Sequence, residues 1–84
     1  MTYSVEILRR AQRELASTPP TTLLHVRDAI RALGDEPRPP GCRKLAGREG
    51  WRIRVGDYRV IYEIDDDQRT VAILHIGHRR DVYR

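Results

Sequence analysis

The segment WRIRVGDYRVIY, residues 51–62, constrains the fold more than any other part of this chain, because two alternating runs flank the pair Gly56–Asp57. Glycine in the first of two loop positions is what a type II′ hairpin turn requires. With that turn, Val55 pairs with Tyr58, and Arg54 pairs with Arg59. Because successive side chains of a strand point to opposite faces, one face of this hairpin is apolar and forms the core side. Its expected members are Trp51, Ile53, Val55, Tyr58, Val60, Tyr62 and Ile64.

The other face of the predicted hairpin is rich in arginine. Its expected members are Arg52, Arg54, Arg59, Ile61 and Glu63. Like charges directly opposite each other destabilise a strand pair, so Arg54 facing Arg59 is unfavourable for folding alone. Two interpretations stay open: a solvated polar face on which Glu63 forms a surface salt bridge, or two guanidinium groups that bind a shared phosphate.

The first part of the chain predicts one strand and two helices. Residues 2–8 (TYSVEIL) alternate as in a strand, and apolar residues then follow at helical spacing. The Pro19–Pro20 pair ends this helix near Thr18, which we expect to cap the second helix at its N-terminus. The apolar stripe of the second helix consists of Leu23, Val26, Ile30 and Leu33.

The rest of the chain predicts a long loop and three strands. Asp35–Gly50 is rich in proline and glycine and is expected to be a surface loop. Strands follow at Trp51–Val55, at Tyr58–Ile64 and at about Thr70–Gly77. The element order β-α-α-β-β-β predicts an α+β fold, with a helical hairpin packed on one face of a mostly antiparallel sheet. We expect one domain, residues 1–84.

The positive charge of the chain is local. The 84 residues carry a net charge of +4, and all 16 basic residues except Lys44 are arginines. The window from Arg43 to Arg59 holds six basic and two acidic residues, so it accounts for the whole excess. Because the guanidinium group matches the geometry of phosphate, this distribution favours a polyanionic partner.

Length and cysteine content exclude several classes of protein. A chain of 84 residues has room for one sheet and two helices, but not for a cofactor domain. Cys42 is the lone cysteine, so it forms no intrachain disulfide and no cysteine pair is available for zinc. No apolar run reaches the length of a membrane span, and the N-terminus has no signal-peptide pattern. We therefore expect a cytoplasmic protein without metal, cofactor or membrane partner.

The C-terminal segment HRRDVYR carries a tyrosine among arginines. Tyr83 is either part of a frayed end or a platform on which an RNA base stacks. The face occupied by Arg79 depends on the preceding turn. A four-residue loop at Asp65–Gln68 puts it in phase with the core face, and one residue more or less puts it with Arg59; both remain open.

Three segments together resemble the RelE/ParE superfamily of bacterial toxins, close to its RelE branch. They are KLAG at Lys44–Gly47, WRIRVGDYRVIYEI at Trp51–Ile64 and ILHIGHRRDVY at Ile73–Tyr83. The resemblance implies the toxin of a type II toxin–antitoxin system, an endoribonuclease that needs the ribosome but no metal. Such toxins cleave mRNA in the ribosomal A site. The 2′-hydroxyl attacks the adjacent phosphate and leaves a 2′,3′-cyclic phosphate and a 5′-hydroxyl.

The same resemblance implies roles for individual residues. Arg59 would neutralise the scissile phosphate, Arg79 would stabilise or protonate the leaving 5′-oxygen, and Tyr83 would stack on a base. Arg54 belongs to the basic pair of the first hairpin strand, and it completes the catalytic set. Further contacts to RNA fall on Lys44, Arg52 and Arg80. The implied partners are a RelB-like antitoxin, the ribosome with its mRNA, and promoter DNA through the antitoxin alone.

One departure from the family pattern concerns proton transfer. Well-known members have lysines at the basic pair, and one of these lysines is proposed as the general base. Here both positions are arginine, which has no acceptor lone pair and is a poor base. Either Arg54 acts only electrostatically, or the base lies elsewhere, with Glu63 and His78 as candidates. We expect His75 to be an ordinary strand residue and His25 to be a solvent-facing helix residue.

Two alternatives to the ribonuclease stay open. A ParE-like toxin would inhibit DNA gyrase without cleaving RNA, although that branch generally lacks the full basic set. A catalytically weakened toxin would act mainly as an antitoxin-binding partner or corepressor, and the change from lysine to arginine favours it.

Overall fold

The computed structural model describes residues 2–78. Within this range the chain forms two helices and five strands. Their bounds are β1 Ser4–Ile7, α1 Arg9–Ala16, α2 Pro20–Ala32, β2 Arg43–Lys44, β3 Trp51–Val55, β4 Tyr58–Asp65 and β5 Thr70–His78. The sheet has the order β1-β5-β4-β3-β2; β1 is parallel to β5 and the other pairs are antiparallel. The α+β fold predicted from the sequence is confirmed.

The core lies between the helices and one face of the sheet. Of the predicted apolar stripe, Val26 and Ile30 of α2 and Leu33 directly after it are buried in the core, whereas Leu23 is half-buried. The buried hairpin residues on this face of the sheet are Ile53, Val60 and Tyr62. Neither helix in residues 2–78 is long and apolar enough to cross a membrane.

The predicted hairpin register is confirmed. Val55 pairs with Tyr58, and Arg54 pairs with Arg59. Gly56 has a φ of +61°, whereas Asp57 has a negative φ, which is the pattern of a type II′ turn. Glycine adopts this backbone without the steric penalty that a Cβ atom brings.

Two local expectations were wrong. Part of the segment 35–50 is a strand, because Arg43 and Lys44 pair with Arg52 and Trp51 and so satisfy backbone groups at the edge of β3. Thr18 does not cap α2. Its hydroxyl donates a 2.8 Å hydrogen bond to the carbonyl of Glu14 and is buried, so it closes the preceding helix instead.

A β-bulge changes the phase of β5. Tyr62 pairs with Ile73, but its neighbour Ile61 pairs with His75, so Leu74 is an extra residue in β5. This insertion lets Ile73 and Ile76, three positions apart, both enter the core. It also places His75 on the sheet face that lies away from the helices, the face that holds its partner Ile61.

A surface cluster links β1, the proline-rich loop and the β4–β5 turn. The hydroxyl of Tyr3 donates a 2.6 Å hydrogen bond to Asp66, and Arg38 Nη2 donates one of 2.9 Å to the same carboxylate. The Arg38 guanidinium and, second, the Tyr3 hydroxyl hold the pKa of Asp66 below its ordinary value. The cluster is exposed to solvent, so its contribution to stability is small.

We expect this contribution to depend on pH. A carboxylate with a lowered pKa in the folded state stabilises the fold above its unfolded-state pKa of about 4, and this stabilisation is lost as the pH falls below it. Asp66→Asn should therefore melt slightly below wild type at pH 7, and the two melting curves should converge below about pH 4. Thermal unfolding followed by circular dichroism measures this. A melting difference that stays constant at low pH would contradict the prediction.

Candidate nucleic-acid interface

Within residues 2–78, four arginines lie on the sheet face away from the helices. This arginine face consists of Arg43, Arg52, Arg54 and Arg59. Arg43 pairs across strands with Arg52, and Arg54 pairs with Arg59. Side chains directly opposite each other on neighbouring strands have Cβ atoms roughly 4.5–5.5 Å apart. The face therefore holds two cross-strand pairs of like charge.

The charge of this face is only partly compensated. Arg43 and Arg54 are exposed, whereas Arg52 and Arg59 are half-buried. Among residues 2–78, no ion pair involves Arg43, Arg52 or Arg54. Repulsion between guanidinium groups that lie opposite each other favours an anion that binds between them.

Arg43 lies on this face, although the sequence analysis does not name it as a site residue. The sequence predicts a loop at this position, because a two-residue edge strand leaves no alternation to detect. Its pairing with Arg52 is the observation that places it. The sequence signal that could have identified Arg43 is its positive charge within the basic window from Arg43 to Arg59.

Lys44 lies elsewhere. It is the register partner of Trp51 and therefore shares the helix-side face of the sheet. Its Nζ atom is 5.6 Å from the centroid of the Trp51 ring, and Arg38 Cζ is 5.1 Å from the same centroid. The structure thus joins Lys44 to a cation–π cluster and not to the arginine face.

The two candidate bases occupy different places. His78 pairs with Tyr58 on the helix side, where the two rings meet edge to face at a centroid distance of 5.7 Å. Glu63 lies on the same face as Arg59, as predicted, and is exposed. Glu63 lies four positions from Arg59 along β4, a distance of about 13 Å. Neither His78 nor Glu63 is therefore directly next to Arg59 on the arginine face. The predicted site residues Arg79, Arg80 and Tyr83 lie outside the described residues.

A carboxylate–imidazole pair borders the arginine face. Glu14 of α1 has its Oε2 atom 2.6 Å from Nδ1 of His75. The Nδ1 atom makes no hydrogen bond of good geometry, so the contact is an ion contact when the imidazole is protonated. The other oxygen of Glu14 accepts a 3.0 Å hydrogen bond from the backbone N–H of Ile76. Arg10 Nε approaches Oε2 at 3.4 Å.

The location of this pair follows from the sheet topology. β1 ends at Ile7, where the chain turns into α1, so it pairs with β5 only as far as Ile73. The outer edge of β5 beyond that point carries a backbone donor at Ile76, and Glu14 satisfies it. Sequence reasoning missed the pair, because the register partner of His75 depends on the bulge and Glu14 is distant in sequence.

Within residues 2–78, no three His, Cys, Asp or Glu side chains are grouped to hold a metal ion. Among residues 2–78, the arginine face and its border offer guanidinium forks, the imidazole of His75, and the carboxylates of Glu14 and Glu63. Such a set can bind phosphodiester oxygens and accept a proton.

Comparison with known proteins agrees with the fold. A sequence model described as the ParE toxin of the type II toxin–antitoxin system parDE matches residues 5–83. Over 88 residues the chain is 41% identical to the toxin RelG of Mycobacterium tuberculosis, covering 100% of this chain and 99% of that protein.

Two solved complexes contain a similar chain. The toxin–antitoxin complex RelBE2 of Mycobacterium tuberculosis matches with 33% identity and a TM-score of 0.83, covering 94% of this chain and 100% of that one. The archaeal RelE–RelB complex of Pyrococcus horikoshii OT3 matches with 31% identity and a TM-score of 0.84, covering 98% and 100%. The helical hairpin on a five-stranded sheet is thus a RelE-like toxin fold. The chain belongs to the RelE/ParE superfamily and is a toxin of the RelE family in type II toxin–antitoxin systems.

Proposed function

We propose that this toxin is a metal-independent endoribonuclease that cleaves mRNA in the ribosomal A site in the cytoplasm. The observation that carries the proposal is the register of the hairpin, which puts Arg54 directly opposite Arg59 on the arginine face. A phosphodiester bound between these two side chains relieves their mutual repulsion. It also receives hydrogen bonds from two planar donor groups.

The arginine pair acts on the transition state. When the 2′-hydroxyl attacks, negative charge grows on the phosphate oxygens, and Arg54 and Arg59 stabilise that charge from a rigid sheet. Because the strands fix the backbone of both residues in register before the substrate arrives, little backbone reorganisation opposes the reaction. Arg54 acts electrostatically here, since a guanidinium group is a poor base.

The remaining arginines hold the flanking backbone. Arg43 and Arg52 lie beside the central pair on the same face and bind neighbouring phosphates. By the family resemblance, Arg79 assists the leaving 5′-oxygen, Tyr83 stacks on a base, and Lys44 and Arg80 add contacts to RNA. These four assignments belong to the proposal.

The protein partner of this toxin is a cognate RelB-like antitoxin. The two similar crystal structures are complexes of RelE-type and RelB-type proteins, which supports a complex of the same kind for this chain. An antitoxin that binds in this way neutralises the toxin, and any contact with promoter DNA goes through the antitoxin.

The direct test uses purified toxin and mRNA-programmed ribosomes, with cleavage sites mapped by primer extension. We expect a cut within the A-site codon that leaves a 2′,3′-cyclic phosphate. A message with a 2′-deoxynucleotide at the cleavage position should resist, because the attacking hydroxyl is missing. Intact ribosome-bound message at stoichiometric toxin would contradict the proposal.

Inhibition of DNA gyrase is the second candidate function, and the match to the ParE family model favours it. A supercoiling assay with the same toxin preparation distinguishes the two functions. Inhibition of gyrase together with intact ribosomal message would establish the second one. If both assays are negative and induction without antitoxin leaves growth unchanged, the toxin serves mainly as a binding partner or corepressor.

A further inference from the structure

We propose that His75 is the general base of this toxin and that Glu14 positions it. The inference rests on the proposed ribonuclease function and supplies the group that accepts the proton of the 2′-hydroxyl. It is carried by the 2.6 Å contact of Glu14 with His75 and by the bulge that brings His75 to the arginine face.

The strand register places His75 next to the phosphate site. His75 is the direct partner of Ile61, and Arg59 lies two residues from Ile61 on the same face of β4. His75 and Arg59 are therefore diagonal neighbours, roughly 7–8 Å apart at the backbone and within reach through long side chains. The direct partner of Arg59 is Gly77, which presents no side chain to occupy the space beside His75.

Burial and the Glu14 carboxylate determine which imidazole nitrogen can react. The His75 side chain is 15% exposed, and its Nδ1 atom is buried against Glu14. A carboxylate at Nδ1 favours the tautomer with its proton there and leaves the lone pair on Nε2. Alignment of such pairs is often poor without substrate and tightens in the reacting complex. Glu14 is itself held by the N–H of Ile76.

The charges around His75 come from several elements. From α1, the Glu14 carboxylate contacts His75 through Oε2, and Arg10 contacts the same oxygen. On β4, Arg59 lies on one side of its partner Ile61 and Glu63 lies on the other. Because Arg59 lies next to His75, a phosphate bound to Arg59 also lies near His75. Substrate binding therefore brings the 2′-hydroxyl toward the imidazole.

The 2′-hydroxyl transfers its proton to Nε2 of His75, and the 2′-oxygen forms a bond to phosphorus. The bond between phosphorus and the 5′-oxygen breaks, and the 5′-oxygen takes a proton from water. The products are a 2′,3′-cyclic phosphate and a 5′-hydroxyl, and the imidazolium then returns its proton to the hydroxide that remains.

The other candidates fit this role less well. His78 lies on the helix side of the sheet, opposite Tyr58. Glu63 is separated from Arg59 by about 13 Å along its strand. Arg54 carries no acceptor lone pair. His75 is the histidine that the strand register places on the face of Arg59, and its Glu14 partner is the type of group that orients a catalytic imidazole.

The test measures single-turnover cleavage of ribosome-bound message by wild type, His75→Ala and His75→Gln. We expect both variants to cleave about 100-fold more slowly, the typical contribution of a general base, without a change in the toxin concentration for half-saturation. Added imidazole should restore part of the rate in His75→Ala. The wild-type rate should rise with pH as the imidazole loses its proton, and this rise should be missing in His75→Gln.

Two further variants complete the design. Glu14→Gln should slow cleavage by about tenfold at unchanged half-saturation and should alter the pH profile, because the neutral amide no longer orients the ring. His25→Ala, an exposed histidine of α2, is the matched control and should cleave like wild type. Melting temperatures of all variants identify any that fail to fold.

Each outcome decides the inference. His75 variants that cleave as fast as wild type would overturn it. So would slow variants that keep the wild-type rise with pH and gain nothing from imidazole, since His75 would then be only structural. If wild type itself leaves the message intact, the ribonuclease function fails first, and the assignment of His75 fails with it.

Discussion

Replacing Arg59 with alanine should slow ribosomal message cleavage by about 1,000-fold, the upper range for removal of one preorganised donor at a developing oxyanion. Arg59 is central because it pairs with Arg54 across the hairpin and lies diagonal to His75 across the next strand pair. It therefore adjoins both the charge that grows on the phosphate and the proposed base. Single-turnover primer extension at saturating toxin measures the effect.

The controls for Arg59 separate charge, geometry and folding. Arg59→Lys should recover only part of the lost rate, because lysine keeps the charge but not the planar fork. Arg13→Ala, at an exposed position of α1, removes an arginine away from the arginine face and should leave cleavage unchanged. Equal melting temperatures would exclude unfolding as the cause. An Arg59→Ala variant that cleaves like wild type would remove the central element of the proposed site.

Replacing Tyr62 with alanine should lower the free energy of unfolding by about 3–5 kcal/mol, as for other large core aromatics. Tyr62 is fully buried under the helices, and its hydroxyl donates a 2.7 Å hydrogen bond to the carbonyl of Pro37. This contact ties the proline-rich loop to the centre of β4. Burial raises the pKa of the Tyr62 phenol above its ordinary range, so the group stays neutral and keeps donating at high pH. Urea denaturation of the purified toxin measures the change.

Tyr62→Phe isolates the hydrogen bond from the packing. The ring remains, but the carbonyl of Pro37 loses its partner, which should lower the free energy of unfolding by about 1–3 kcal/mol. Tyr3→Phe is the matched surface control and should have a much smaller effect, because its hydroxyl bonds to Asp66 in solvent. If the alanine and phenylalanine variants at position 62 were equally stable, packing of the ring would not contribute, contrary to the prediction.

The hairpin could be predicted because its determinants are local. Gly56 sets the turn, the turn sets the register, and alternation then assigns each residue of 51–64 to a face. The confirmed pairing of Arg54 with Arg59 follows from these steps alone. Alternation places Ile61 on the polar face, yet Ile61 is 3% exposed, and its cross-strand register partners are Arg52 and His75.

The features that could not be predicted all depend on distant partners. The edge strand at Arg43–Lys44 exists because β3 offers unpaired backbone groups, and a two-residue strand has no pattern of its own. The bulge at Leu74 arises because Ile73 and Ile76 both pack under the helices. It also settles which face holds His75, a residue that seemed ordinary in the sequence.

The amino-acid sequence by itself determined the turn, the strand and helix order, the apolar faces and the local excess of arginine, since each depends on near neighbours in the chain. Only the tertiary structure decided that Arg43 lies on the arginine face, that Lys44 lies on the other face against Trp51, and that Glu14 contacts His75. The physical reason is that these contacts depend on which strand edge stays open and where a strand gains a residue. Both are set by packing of the whole sheet against its helices.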